Sequence, residues 1–145
     1  RRKQLLNASG LPNIDHHNAA TGDNLQRYIF ACDELAEMLD KTGLTKEQKE
    51  TVVKIEGLLG TIARQGRAFG IHLILATQRP DSTILNGQIK NNINCRICGR
   101  ADNVLSMIIL DNTDAADLIP DDAQGRFLLK GGSIFQAYWF EDSSL

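Results

Sequence analysis

Two adjacent acidic residues, Asp33 and Glu34, directly follow the short apolar run from Tyr28 to Cys32. One carboxylate can hold Mg²⁺, usually through water, while its neighbour orients and deprotonates a water molecule that attacks a phosphate. The same two residues can instead cap the helix that follows and complement its dipole. On spacing alone, both interpretations stay open.

A second polar cluster, Thr77-Gln78-Arg79-Pro80, follows the apolar run of residues 71–76. If both runs are strands of one parallel sheet, their carboxyl ends share an edge, where ligands of such sheets gather. Gln78 can both donate and accept hydrogen bonds, so it can sense or position a γ-phosphate. A structural role, satisfying loop backbone groups, is equally compatible with the pattern.

Two arginines, Arg64 and Arg67, lie near the end of a predicted helix. A guanidinium fork there can reach phosphate oxygens across a subunit boundary. Arginines at a helix carboxyl end also relieve the helix dipole, and this is the commoner role.

The elements that must position these residues alternate between strand and helix. The apolar runs at 28–32 and 71–76 predict strands buried on both faces, and residues 94–98 predict a third. Gly131-Gly132 predicts a hairpin between residues 126–130 and 133–140. We therefore expect an α/β fold in three layers, with a mostly parallel sheet and a carboxyl-terminal antiparallel hairpin.

Helices are predicted between the strands. Thr45 and Gln48 fit a capping box, and apolar residues then repeat at intervals of 3, 4 and 3 until about Gly66 to Gly70. The repeating residues are Val52, Ile55, Leu59 and Ile62. Shorter helices are predicted from Leu35 to about Lys41, after a cap at Asp81 or Ser82, and after a cap at Asp102. Residues 7–24 are polar and rich in turn formers, which predicts loops.

The composition is that of one ordinary soluble domain. The 145 residues are 42% hydrophobic, with a formal net charge of −2 and a pI near 5.9. This excludes a bulk polycation, so a nucleic-acid partner must be held by local geometry. The sequence contains neither an apolar run of about 18 residues nor a secretion signal.

Cysteines and histidines offer weaker candidates. Cys95 and Cys98 form a C-x-x-C, but on a strand these positions point to opposite faces, so we expect packed thiols rather than a metal or redox site. His16-His17 lacks the spacing of a zinc site and is expected in an exposed loop. His72 is expected to be a core residue of its strand.

The run from Ile62 to Pro80, IARQGRAFGIHLILATQRP, closely resembles the core of the FtsK/SpoIIIE family of DNA translocases. Neighbouring family segments also occur in order, so the resemblance covers essentially the whole chain. They are Arg1-Arg2 with Leu5 and Asn13-Ile14, the strand ending at Asp33-Glu34, Ile89 to Ile93, Arg96-Ile97, and Ile109-Leu110-Asp111.

This resemblance implies a RecA-like P-loop ATPase motor that works as a hexameric ring of identical subunits around double-stranded DNA and uses ATP with Mg²⁺. Asp33 would be the Mg²⁺-associated acid and Glu34 the general base, while Gln78 would be the sensor between the nucleotide and the DNA-facing loops. Arg67 matches the expected arginine finger, with Arg64 as the fallback.

The resemblance also implies positions for DNA contact. Arg79 and Lys90 match basic positions that flank a pore loop. Arg100 is the one positive charge in a stretch where relatives commonly carry more, since Asn103, Ser106 and Met107 follow it. Such contacts meet phosphate rather than sequence, as a motor that passes any DNA requires.

One departure from the family pattern is the absence of a G-x-x-x-x-G-K-[ST] loop, without which the β and γ phosphates are not cradled. We therefore expect residues 1–145 to be the carboxyl-proximal part of a single motor domain within a longer protein. Alone, the chain is expected neither to bind ATP tightly nor to hydrolyse it. We expect the motor in the cytoplasm and its parent anchored at the inner face of the membrane through segments absent here.

Three functions stay open from the sequence. The first is a DNA motor serving chromosome partitioning or conjugation, which the segments Thr77-Gln78-Arg79-Pro80 and Ile89 to Ile93 favour over the others. The runs at 28–32 and 57–60 favour conjugative-element relatives. The second is a type VII secretion ATPase acting on protein, whose sequence shares a Gly-Arg-x-x-Gly-x-His-Leu core. The third is a degenerate module without turnover, although retention of Glu34 argues against it.

Overall fold

The computed structural model describes residues 2–78 and 87–138. Within them the chain forms two compact units, residues 2–78 with 87–92 and residues 93–138. The first unit contains the helices α1 (Arg2–Ser9), α2 (Ile14–Thr21), α3 (Leu35–Leu39), α4 (Lys46–Gln65) and α5 (Gly87–Lys90), a 3-10 helix (Gly66–Phe69), and the strands β1 (Tyr28–Cys32) and β2 (Ile71–Leu75). The second unit contains the strands β3 (Ile97–Cys98), β4 (Arg126–Leu129) and β5 (Ser133–Gln136) and the helices α6 (Asn103–Leu110) and α7 (Asp114–Leu118).

The long helix α4 begins with the predicted capping box. Thr45 Oγ1 accepts a hydrogen bond from Gln48 N at 3.4 Å, and Gln48 Oε1 accepts one from Thr45 N at 2.9 Å. These two bonds satisfy backbone donors that the first helical turn leaves without partners. Val52 and Leu59 of the predicted apolar face are buried, which confirms the helix and the face that it turns to the core.

Strands β1 and β2 pair in parallel, as predicted, with Tyr28 opposite Ile71 and Cys32 opposite Leu75. The prediction that β1 is buried on both faces is wrong, because Ile29 is 67% and Phe30 44% exposed. In the described part of the chain this sheet has two strands only. The apolar side chains that larger parallel sheets bury are therefore left partly uncovered.

The prediction of loops over residues 7–24 is wrong for α2. The Asn13 side chain accepts a hydrogen bond from His16 N at 3.0 Å, which caps the start of the helix. Gly22 ends it at φ 75°, where its N–H bonds the Asn18 carbonyl oxygen. Polar and glycine residues thus act as caps here rather than as loop formers.

His17 also departs from its prediction as an exposed loop residue. Its side chain is 5% exposed, and Nε2 lies 2.9 Å from the Asp23 carboxylate. His16 is exposed, as expected. Among the described residues no group of three or more histidines, cysteines or acids could hold a metal ion.

The second unit is built around an antiparallel sheet in the order β3-β4-β5. The hairpin between β4 and β5 forms at Gly131 and Gly132 as predicted, with φ of 105° and 100°, values that side chains rarely allow. The third predicted strand shortens to Ile97–Cys98 and pairs antiparallel with β4 instead of extending the parallel sheet. Helix α6 starts at the predicted Asp102 cap, which accepts from Leu105 N at 2.8 Å.

The two cysteines of the C-x-x-C differ in environment. Cys98 packs in the core of the second unit, with Leu110, Ala115, Ile119 and Leu128. Cys95 is exposed, so the prediction of two packed thiols holds for Cys98 only. No helix among residues 2–78 and 87–138 combines the length and the apolar character that crossing a bilayer requires.

We expect Thr45→Ala to lower the free energy of unfolding by about 1 kcal/mol, because it removes the acceptor of the capping box. Chemical denaturation followed by circular dichroism measures the change. Thr51→Ala is the control, since the Thr51 hydroxyl bonds the Glu47 carbonyl oxygen inside the same helix and caps nothing. Equal losses in both variants would contradict the role of the cap.

The thiols are expected to react with iodoacetamide in a defined order. Burial raises the pKa of the Cys98 thiol above its ordinary value of 9.0, so little of the reactive thiolate forms near pH 8. Exposed Cys95 is modified first, while modification of Cys98 accelerates only as the pH rises beyond 9.0 or as the protein unfolds. Mass spectrometry of peptides after timed labelling measures both rates. Equal rates at pH 8 would contradict this assignment.

Candidate functional site

The parallel pairing of β1 and β2 brings their carboxyl ends to one rim of the sheet. Ala76 N donates to the Cys32 carbonyl oxygen at 2.8 Å, and Leu35 N donates to the Ala76 carbonyl oxygen at 2.8 Å. The backbone that follows β1 is thereby tied to the backbone that follows β2. The acids after one strand and the glutamine after the other lie on this rim, as the sequence predicted.

Glu34 connects the two ends through its side chain. Its Oε1 accepts hydrogen bonds from Thr77 Oγ1 at 2.5 Å and from Ala36 N at 3.3 Å. Its Oε2 accepts a hydrogen bond from Gln78 N at 3.2 Å. Glu34 is therefore the N-cap of α3 and, at the same time, a direct contact of the segment after β2.

Thr77 has a role on this rim that was not predicted from the sequence. Its hydroxyl makes the shortest described hydrogen bond to the Glu34 carboxylate. In the sequence, only its position indicated such a role, because a hydroxyl residue stands directly before Gln78 and just after the apolar run of residues 71–76. A donor this close fixes the orientation of the carboxylate.

Asp33 differs from its neighbour. It is exposed, and in the described part of the chain its carboxylate takes part in no hydrogen bond or ion pair. Mg²⁺ commonly takes one or two carboxylates and completes its shell with water and phosphate oxygens. A single accessible carboxylate beside Glu34 fits such an ion, and it does not form a cage of protein ligands.

Gln78 is exposed on the same rim. Its backbone N–H is used by Glu34, whereas its side-chain amide makes no hydrogen bond within residues 2–78 and 87–138. The amide can therefore meet a group that enters from solvent, while the backbone N–H of the same residue contacts Glu34.

Arg64 and Arg67 lie at the other end of the sheet. Arg64 is in the last turn of α4, and Arg67 is in the 3-10 helix that leads into the amino end of β2. Five strand residues at about 3.3 Å each put about 17 Å between this end and the rim. The structure thus separates these arginines from Asp33, Glu34 and Gln78 of the same copy.

The basic residues predicted to meet DNA are in three different situations. Arg79 lies outside the described residues. Lys90 ends α5, a short helix whose Ile89 is buried in the first unit. Arg100, in the second unit, donates from Nε to Asp121 Oδ1 at 2.5 Å and also bonds the Ala116 carbonyl oxygen. A phosphate at Arg100 would compete with these contacts.

No family model matches the chain, but curated proteins with one shared name, DNA translocase FtsK, are similar to it in sequence. It is 37% identical over 120 residues to the DNA translocase FtsK of Chlorobaculum tepidum, which covers 81% of the chain and 14% of the relative. It is 33% identical over 139 residues to the DNA translocase FtsK of Chlamydia pneumoniae, covering 92% and 17%. The chain therefore spans less than a fifth of these relatives.

Solved structures agree. The pCW3 conjugation coupling protein TcpA, a monomer form with ATPγS, superposes with a TM-score of 0.88 at 47% identity, covering 97% of the chain and 41% of TcpA. The type VII secretion ATPase EccC of Thermomonospora curvata gives a TM-score of 0.64 at 25% identity, covering 92% and 15%. These neighbours are P-loop ATPase motor domains, which confirms the predicted fold class. The chain belongs to the FtsK/SpoIIIE family, and its relatives include a conjugation coupling protein.

Proposed function

We propose that this chain is the carboxyl-proximal part of an ATP-driven motor domain that moves double-stranded DNA in conjugation or chromosome partitioning. The observation that carries the proposal is the rim on which Glu34, Thr77 and Gln78 are joined by hydrogen bonds. An acid suited to activate water, next to a segment suited to sense phosphate, supports hydrolysis of ATP at this rim. Relatives named as DNA translocases support the same substrate.

Each rim residue has a separate task in this proposal. Bound ATP with Mg²⁺ supplies the γ-phosphoryl group that is transferred to water. Asp33 would hold the ion, and Glu34 orients the attacking water and takes its proton. The donors on Glu34 fix the plane of the carboxylate, so its proton-accepting oxygen faces one direction. Gln78 meets the γ-phosphate with its amide.

In this proposal the chain supplies only one part of the nucleotide site, the rim residues. Its sequence contains no G-x-x-x-x-G-K-[ST] loop to cradle the phosphates. The loop belongs, in this proposal, to another part of a longer protein, and the chain alone neither binds ATP tightly nor hydrolyses it. The uncovered apolar side chains of β1 support further chain packed against the faces of this sheet, since parallel sheets are normally covered on both faces.

Arg67 acts across a subunit boundary in this proposal, with Arg64 as its alternative. About 17 Å of strand lies between Arg67 and the rim of its own copy, which supports action on a neighbour's nucleotide. A ring of six identical subunits would present each arginine end to an adjacent rim. The motor works in the cytoplasm, with its parent held at the membrane by segments outside this chain.

DNA meets the motor at Arg79, Lys90 and Arg100 in this proposal, through phosphates rather than bases. Arg100 would exchange its contact with Asp121 for a phosphate oxygen. A protein substrate, as in the type VII ATPase EccC, is the competing assignment. The greater likeness to TcpA, in both identity and TM-score, favours DNA.

We expect Glu34→Gln in the full-length parent protein to lower the rate of ATP hydrolysis by about a hundredfold or more while ATP binding persists, because general bases contribute on this order. Duplex DNA is expected to stimulate the hydrolysis by the unmodified protein. A coupled phosphate-release assay and nucleotide-binding fluorescence measure the two quantities. The matched control is Glu37→Gln, because Glu37 lies three residues further along in α3 and is exposed.

Two results would overturn parts of this proposal. An unchanged rate of ATP hydrolysis in Glu34→Gln would contradict the assignment of Glu34 as the general base. Hydrolysis that responds to a client peptide and not to DNA would replace the DNA motor with a secretion ATPase.

Thr77→Val in the parent protein is expected to lower kcat about tenfold with little change in KM, because a hydrogen bond to a charged group contributes about 1.5–3 kcal/mol. Steady-state kinetics over a range of ATP concentrations separate the two constants. Thr77→Ser keeps the hydroxyl and should retain most of kcat. A similar loss in both variants would mean that Thr77 serves packing rather than the orientation of Glu34.

A further inference from the structure

The 3-10 helix Gly66–Phe69 carries Arg67 and leads into the amino end of β2. Arg67 is exposed, and its side chain makes no hydrogen bond or ion pair within the described residues. The direction in which its guanidinium extends is therefore set by the backbone of the 3-10 helix. A 3-10 helix has poorer hydrogen-bond geometry than an α-helix, so contacts from other elements must fix this short backbone.

Helix α1 supplies such a contact through Arg2. Arg2 Nη1 donates a hydrogen bond to the Phe69 carbonyl oxygen at 3.0 Å. Phe69 is the last residue of the 3-10 helix, and carbonyl oxygens at the carboxyl end of a helix carry partial negative charge. A cationic donor forms a stronger hydrogen bond there than a neutral one does. Arg2 therefore holds the carboxyl end of the segment that carries Arg67.

The guanidinium of Arg2 is itself fixed by the start of β1. Its Nη2 donates a hydrogen bond to the Gln26 carbonyl oxygen, and its Cζ lies 4.1 Å from the centre of the Tyr28 ring. Tyr28 N in turn donates to the Gly70 carbonyl oxygen at 2.8 Å. A planar guanidinium can bridge two carbonyl oxygens while it stacks on an aromatic ring, which a lysine ammonium cannot do. Arg2 thus ties the 3-10 helix to β1.

The chain around Gly70, directly after the 3-10 helix, is closely packed. Gly70 has a φ of 67°, and a Cβ atom added to it would lie 2.6 Å from Ile14 Cδ1 and 3.4 Å from Arg2 Nη1. Ile14 is buried at the start of α2. The end of the 3-10 helix is therefore confined between α2 and the Arg2 side chain, and removal of that side chain opens space on one side of it.

We propose that Arg2 is a positioning residue for Arg67. Arg2 binds the Phe69 carbonyl oxygen while it stacks on the Tyr28 ring, and it thereby fixes the 3-10 helix in the orientation from which Arg67 extends. The proposal rests on the proposed function, because Arg2 acts on ATP hydrolysis only through Arg67. It assigns no contact between Arg2 and the nucleotide.

Hydrogen exchange in the full-length parent protein tests whether Arg2 fixes this backbone. In Arg2→Met, which keeps a long side chain and removes the guanidinium, amide exchange over residues 66–71 is expected to be several-fold faster, because local opening becomes easier. Mass spectrometry of peptides measures the rates, and circular dichroism verifies that each variant is folded. Arg126→Met, which removes an exposed arginine of β4, is the matched control and should leave this exchange unchanged.

Steady-state kinetics of ATP hydrolysis test whether Arg2 acts through Arg67. Arg2→Met is expected to lower kcat about tenfold with little change in KM, since a catalytic group misplaced by about 1 Å can cost this much or more. Adding Arg2→Met to Arg67→Ala should lower kcat no further than Arg67→Ala alone. Tyr28→Phe keeps the ring beside the guanidinium and should retain most of kcat.

Arg2→Lys provides a milder second variant, which serves for both measurements if Arg2→Met does not fold. It keeps the positive charge but cannot bridge both carbonyl oxygens, so it is expected to show smaller changes than Arg2→Met in the same directions. Full exchange protection and full kcat in Arg2→Lys would contradict the need for a guanidinium.

Different results would overturn the positioning role and the proposed function. Unchanged exchange over residues 66–71 in Arg2→Met would overturn the positioning role alone. A further loss of kcat when Arg2→Met is added to Arg67→Ala would do the same, because Arg2 would then act by another route. Unchanged hydrolysis in Arg67→Ala would overturn the role proposed for Arg67 and the positioning role with it.

Discussion

The hydrogen bonds that the segment after β2 donates to the Glu34 carboxylate are the constraint on which the site depends. They form because β1 and β2 run parallel and in register, so both strands end at the same level. Thr77 and Gln78 then reach Glu34 without any long loop. A shift of one residue in the register would turn alternate side chains to the other face and separate the acid from its donors.

The parts of the fold that follow from local chemistry were predictable. The capping box at Thr45, the Asp102 cap and the glycine turn at 131–132 each depend on residues close in sequence, and the structure has all three. The meeting of Glu34 with Gln78 was also predictable, because it needs only two parallel strands. The hydroxyl contact of Thr77 was not predictable, since the rotamer of Thr77 depends on the neighbouring carboxylate.

The parts that depend on distant partners were not predictable. Residues 94–98 have the apolar pattern of a parallel strand, yet β3 pairs with β4, and an apolar run does not encode its neighbour. The exposure of Ile29 likewise depends on what covers the sheet rather than on the run itself. The polar composition of residues 14–21 favours a loop, but the caps at Asn13 and Gly22 stabilise the helix α2 there.

The first unit presents two dissimilar ends, a rim with Asp33 and Glu34 and an opposite end with Arg64 and Arg67, separated by the length of one five-residue strand. Surfaces that match each other but not themselves join copies head to tail rather than about a twofold axis. In the proposed assembly, an open row of copies would leave one rim and one arginine end unmatched, so the number of complete junctions would be one fewer than the number of copies. Closure of such a row into the proposed ring would remove that deficit and make every copy equivalent.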